Sequence, residues 1–195
     1  MNLGQARSRL SNRGFQYLDP QTLNDMLNNA KNALEDEWPW PWLITTQTGT
    51  APLIISDLRY VISVQDQNGR DLCFIDERHV DLTQTGLADS WWLDGVETLR
   101  VSPADAASEL TVRYARFTPD LTNDSDTPLI PARYHPVWVD YAAVEAYKDQ
   151  PNYNTANALL AEIRSRRLPA MIEAYEWRNR TVTPTYIIEA VGEDL

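Results

Sequence analysis

The sequence predicts an α+β fold: a helical bundle body, an antiparallel β module inserted into it, and an extended C-terminal arm. Three observations carry this. Leu23, Met26, Leu27, Ala30 and Leu34 repeat at helical spacing and form one apolar stripe. Between residues 42 and 117 the period shortens to two, as in Tyr60, Ile62 and Val64 or Leu110, Val112 and Tyr114. Helical spacing then returns at Val137, Trp138, Tyr141 and Val144. Each set of helices is too small to bury its own stripe, so the two ends of the chain must pack on each other. This places residues 1–40 with 130–178 in the body, 41–129 in the β module with its return loop, and 179–195 in the arm.

A short helix is expected over residues 3–11, ending near Gly14, which suits a C-terminal cap. The next helix starts with Asp19 as its cap and Pro20 in the first turn, where a missing N–H costs nothing. It must stop before Pro39, because proline drives its predecessor out of helical geometry. In the β module, Asn68-Gly69 marks a tight hairpin between the strand around Tyr60–Val64 and the run DLCFI. DERHVDLTQTG reads as a short helical turn, and WWLDGVETLRVS and ELTVRYARF as two further strands. TPDLTNDSDTPL is a loop returning from the sheet. A last helix covers about 153 to 178, with Ala156, Leu159, Leu160 and Ile163 on one side; Pro169 inside it should kink or divide it.

The bulk numbers narrow the function. The chain has 195 residues, 43% hydrophobic and 10% aromatic, enough for a packed core. A net charge of −11 opposes nonspecific binding to DNA or anionic membranes. No apolar run reaches the ~18 residues of a membrane span. Cys73 is the sole cysteine, which excludes an internal disulfide and a cysteine-based zinc site; it is expected to be an inert core thiol. A soluble protein of a reducing cytoplasm is the expectation.

No glycine-rich phosphate loop is present, which argues against a nucleotide cofactor, and no cofactor is expected. Asp76, Glu77, His79 and Asp81 stand close together, but one histidine among solvated carboxylates reads as a charged turn rather than a metal site. His135, ahead of Pro136, reads as a helix-start residue rather than a catalytic base. No serine or cysteine lies in a nucleophile-elbow context, so no catalytic residue is assigned.

Trp38, Trp40 and Trp42 alternate with Pro39 and Pro41. The run is either a stacking platform for sugars or a structural joint where helix meets sheet; the joint is favoured because tryptophan is highly buried on average. One of Trp91 and Trp92 must face outward from a strand, and it is a candidate subunit contact. Arg164, Arg166 and Arg167 form a basic cluster that either meets an acidic neighbour across a subunit interface or is a solvated helix face. The segment Thr181, Val182, Thr183, Pro184, Thr185, Tyr186, Ile187 and Ile188 is β-prone, with no helical stripe. It reads as an arm that orders on a partner, or as a frayed terminus.

Three longer stretches carry a resemblance: LNDMLNNAKNALEDEWPWPWLITTQTGT, LIISDLRYVISVQDQNGRDL and LTVRYARFTPDLTNDSDTPLIPARYHPVWVDYAAVEAY. Over residues 15 to 178 the chain resembles the head-to-tail adaptor (connector) proteins of tailed bacteriophages. The resemblance implies a structural virion protein without enzymatic activity, made in the host bacterial cytoplasm. It implies a ring, usually of twelve copies, that joins the capsid portal to the next neck or tail component and lets double-stranded DNA through its channel. It also implies that the Thr181–Ile188 arm meets the portal. The alternatives are a stopper or tail-completion protein, and a carbohydrate-binding or carbohydrate-active protein using the tryptophan run.

Overall fold

The computed structural model describes residues 1–81, 86–103, 109–150 and 153–180, with side chains as far as Glu176. Helix α1 (Leu3–Leu10) opens with a reciprocal cap: Asn2 Oδ1 accepts from Gln5 N–H at 2.9 Å, and Gln5 Oε1 accepts from Asn2 N–H at 3.1 Å. A widened turn at Ser11–Phe15 follows, with Gly14 at φ 103°. That left-handed backbone is why glycine stands there. Helix α2 (Pro20–Asp36) begins as expected, with Asp19 Oδ1 accepting from the Gln21 and Thr22 amides at 3.0 Å each. Its whole apolar stripe is buried.

Helix α3 (His135–Asp149) packs along α2. The Trp138 indole donates to Leu27 O at 2.7 Å, tying the first turn of α3 to the middle of α2. Helices α4 (Tyr153–Glu162) and α5 (Leu168–Arg180) are joined by a wider turn at Ile163–Arg167, where Leu168 N–H donates to Ile163 O, five residues back. Such a turn adds one residue per loop of helix. The expected break at Pro169 is thus absorbed just ahead of the proline, which sits in the first turn of α5 without needing an N–H partner.

The β module holds two sheets, one fully antiparallel and one mixed. β1 (Ile44–Thr50), β3 (Leu58–Gln65) and β7 (Glu109–Arg116) form the first, in the order β1-β7-β3, with Ile44 opposite Ala115 and Thr50 opposite Glu109. β2 (Leu53–Ile54), β4 (Cys73–Phe74), β5 (Ser90–Asp94) and β6 (Thr98–Ser102) form the second, in the order β2-β6-β5-β4. The β4–β5 pair is parallel, so the module is not antiparallel throughout. The sheets share a core in which Val64, Leu110, Val112 and Tyr114 meet Leu53, Trp91, Leu99 and Val101.

Four local expectations are corrected here. Tyr60, Ile62 and Val64 do not share a face, because a bulge between Val61 and Ser63 resets the register; Tyr60 and Ile62 are exposed and Val64 is buried. The Asn68-Gly69 turn forms, yet its second arm is one bridge long, Gln65 to Asp71, before the chain crosses to the other sheet. That crossing places Cys73 on an exposed strand, not in the core. WWLDGVETLRVS is two strands, β5 and β6, turning at Gly95 with φ 71°.

The loop after β7 runs back along the helices. Leu3 N–H donates to Asp126 O at 2.8 Å and Gly4 N–H to Asp124 O at 3.0 Å. Asn28 of α2 pairs with both sides of Leu121, its Nδ2 donating to Leu121 O at 3.0 Å and its Oδ1 accepting from Leu121 N–H at 2.8 Å. Leu121 itself lies in the helical core. Replacing Asn28 by alanine strands two buried backbone groups, each worth about 1–3 kcal/mol. Chemical denaturation should show Asn28→Ala losing roughly 2–6 kcal/mol; a loss within error would mean that water replaces the amide.

Candidate assembly site

The tryptophan run closes α2. Trp40 is 0% exposed, and its indole donates to Leu34 O at 2.7 Å, filling a last-turn carbonyl that the helix leaves open when it stops before Pro39. The segment is not extended throughout: Pro41–Leu43 makes a tight helical turn. Trp42 stacks on Trp40 at 4.5 Å and 13°, and Trp38 meets Trp40 edge-on at 5.2 Å. Tyr175 of α5 lies 5.4 Å from Trp42 and 6.0 Å from Tyr134. Arg133 stands over the Tyr134 ring at 4.4 Å and the Tyr175 ring at 5.4 Å. Trp40 therefore lies in the helical core, and Trp38 and Trp42, partly buried, pack against it on the helical side of the chain's passage into the sheet. Because the central ring is buried beneath its neighbour, they do not offer a three-ring platform for a sugar.

Trp91 and Trp92 fall on opposite faces of β5, as the period of two requires, yet both are buried, at 9% and 5% exposure. Trp91 points into the core between the sheets and meets Phe74 edge-on at 5.0 Å. The expectation of one exposed tryptophan is thus overturned.

The basic cluster divides. Arg167 reaches Asp140 and, at 2.8 Å, Glu162; Asp140 is itself buried and also takes Arg13. Burial alone would make that carboxylate costly, and two guanidiniums offset it. Arg164 pairs with Glu37 at 3.3 Å, and Glu37 accepts from Tyr141 OH at 3.0 Å. Burial, then this carboxylate, pushes the Tyr141 hydroxyl well above its usual range. Arg166 is exposed on the widened turn. The segment Thr181 to Ile188 lies outside the described residues.

Sequence reading missed the polar edge of α2. Lys31 is fully buried, its Nζ donating to Thr118 O at 3.1 Å and Pro119 O at 2.6 Å. Glu35, also buried, accepts from Thr118 Oγ1 at 2.8 and 2.9 Å. Burial drives the Lys31 amine down and the Glu35 carboxyl up from their ordinary values. Asn28, Lys31 and Glu35 repeat at helical spacing, but a polar stripe of that kind is indistinguishable from a solvated face.

The charged turn is local: Asp76 caps Glu77–His79 and binds Arg78, whose guanidinium holds its carboxyl down at about 2. Among the described residues no group of acidic, histidine or cysteine side chains could hold a metal. His135 is buried; its Nε2 donates to Ile130 O at 2.7 Å, which leaves Nδ1 to accept from the Met1 amino group at 2.8 Å.

The model of the SU10 adaptor protein family matches residues 1–187. The chain belongs to that family. SU10 adaptors are structural proteins of phage virions that associate with other head and tail components. The match takes in α1, which the sequence resemblance left aside, and enters the C-terminal segment. No curated protein matches the chain. Among the described residues, no helix of this adaptor is long and apolar enough to cross a membrane.

Two outcomes follow from these contacts. Trp40→Ala should lower unfolding free energy by roughly 3–5 kcal/mol in denaturant titrations; a change near zero would mean that the indole is dispensable to α2. Burial depresses the His135 imidazole below its ordinary value. The unfolded chain then binds the extra proton first, so stability falls as pH drops below about 6.5. Denaturant midpoints from about pH 7.5 to 5.5 should slope less in His135→Gln, which keeps an N–H for Ile130. Equal slopes would exclude the imidazole as their source.

Proposed function

We propose that this SU10 adaptor forms a homo-oligomeric ring, of twelve copies by family resemblance, between the capsid portal and the next neck or tail component. The observation that carries the reading is the family match over residues 1–187. In this reading the helical parts, residues 1–40 and 130–178, build the ring body. The β module of 41–129 projects from it, and the arm Thr181–Ile188 docks on the portal.

Charge supports a channel role. DNA is gripped by lysine and arginine contacts to phosphate. A subunit of net charge −11, repeated around a ring, repels the backbone instead. Much of the chain's arginine is also already paired to its own carboxylates, as at Arg13, Arg164 and Arg167. Exposed Arg166 is the member of that cluster best placed to meet an acidic neighbour. No chemical step is assigned; the work is surface complementarity and arm docking.

Electron microscopy of the purified protein mixed with portal should show closed rings seated on it. A protein that stays monomeric with portal present would overturn the ring. Removing residues 181–195 should abolish portal binding while circular dichroism keeps the helical signal; undiminished binding would sink the arm's role.

A further inference from the structure

A cavity of about 480 Å³ opens where the loop after β7 crosses from sheet to helices. Its rim carries two large apolar side chains left in water, Phe117 at 56% exposure and Leu129 at 41%. Phe117 has Arg59 over one face at 5.5 Å. The polar wall carries Lys31, Arg116 and Asp57. Lys31 is spent on the carbonyls of Thr118 and Pro119. Asp57 accepts from Tyr114 OH at 2.9 Å. Arg116 is different: its Nε is buried and has no acceptor, although the Glu35 carboxylate is near enough to feel its charge. A buried guanidinium N–H without an acceptor is costly, and a carboxylate is its best partner.

An apolar rim above an unfilled cationic donor fits an extended segment with bulky side chains followed by an acid. The chain carries one. Tyr186, Ile187 and Ile188 precede Glu189, and residues 181–195 hold three acidic side chains and no basic one. The other grooves fit it less well. One beside Trp38 is lined by Glu35, Asp36 and Glu37, which would repel it. One along α1 carries Arg7, already paired with Asp124, and Arg9, but its other side chains, such as Asn2, Gln5 and Ser8, are polar and offer the isoleucines no large apolar side chain.

Tyr175 of α5 already packs on Tyr134, five residues from Leu129 in the cavity wall. An extended chain covers about 3.3–3.6 Å per residue, so residues 181–188 span roughly 27 Å.

We propose that in the unassembled protein the segment Tyr186–Glu189 seats in this cavity in the same copy, its apolar side chains on Phe117 and Leu129 and the Glu189 carboxylate on the Arg116 guanidinium. The inference concerns the free chain. In the ring reading the same segment meets the portal, so the cavity holds it before the portal does.

The test uses the full chain, isotopically labelled, with a nitroxide on Val191→Cys in a Cys73→Ser background. The amide signals of Phe117, Thr118 and Leu129 should lose most of their intensity, and Arg116→Gln should restore them. Ile187→Asp with Ile188→Asp should restore them as well if Arg116→Gln fails to fold. Unbroadened signals at these three residues, broadening confined to the α1 groove, or broadening that survives the tail substitutions would overturn the proposal. So would broadening seen only between copies in a mixture of spin-labelled and isotope-labelled protein, which would make a second copy the occupant. Portal binding does not enter the readout, so the ring reading stands or falls separately.

Discussion

Asn28, Lys31 and Glu35 lie along one edge of α2, and each meets the backbone or a hydroxyl of the strap at 118–121. That strap is where the chain leaves the sheet and returns to the helices, and it has no secondary structure to satisfy its own peptide groups. Buried peptide groups without partners are costly, so a crossing of this kind needs donors and acceptors supplied from elsewhere. The amide of Asn28 acts as a stand-in strand for Leu121, while the Lys31 ammonium takes two carbonyls in succession. Lys31 and Glu35 are each driven towards neutrality by burial and held charged in part by the other. The pair thereby makes a seam that depends on all its members at once. Without it, Leu121 would not be pinned in the helical core, and the return crossing would lose its support.

The tryptophan run secures the outgoing crossing by a different means. There the chain passes from α2 to β1 through aromatic packing, with one indole closing the helix and a second stacked on it. Arg59 of β3 adds a tie from the sheet side, donating to Glu35 O at 3.0 Å and pairing with Asp36. One crossing is apolar and the other polar, and both fasten to the same helix. The helices and the β module are thereby tied together at both crossings.

Legibility in the sequence follows how local each determinant is. The start of α2 was readable because Asp19 and Pro20 act within one turn of themselves, and its stripe because 3.6-residue spacing survives any tertiary arrangement. Leu110, Val112 and Tyr114 were readable for the same reason at period two. The face of β3 was not, since the bulge after Val61 arises from how β3 lies on β7, and nothing in the tripeptide Val61-Ile62-Ser63 announces it. Cys73 was misplaced because a two-residue strand has no periodicity, and its partner β5 lies across the module. Trp92 was misjudged by an argument that alternation implies exposure; alternation fixes only the side, not what covers it. The family was legible in long stretches, whereas the polar edge of α2 looks in one dimension like any solvated helix face.

The widened turn at Ile163–Arg167 sets a rotational phase. An α-helix advances about 100° per residue, so one additional residue in a turn rotates everything beyond it by that angle. Tyr175 sits beyond it, and its ring reaches Trp42 and Tyr134 on the far side of the bundle. Removing a single residue from 163–167 would leave α5 helical and equally apolar, yet would swing Tyr175 about a quarter-turn away from those rings. The turn works as a gear tooth: it decides which way the end of α5 faces.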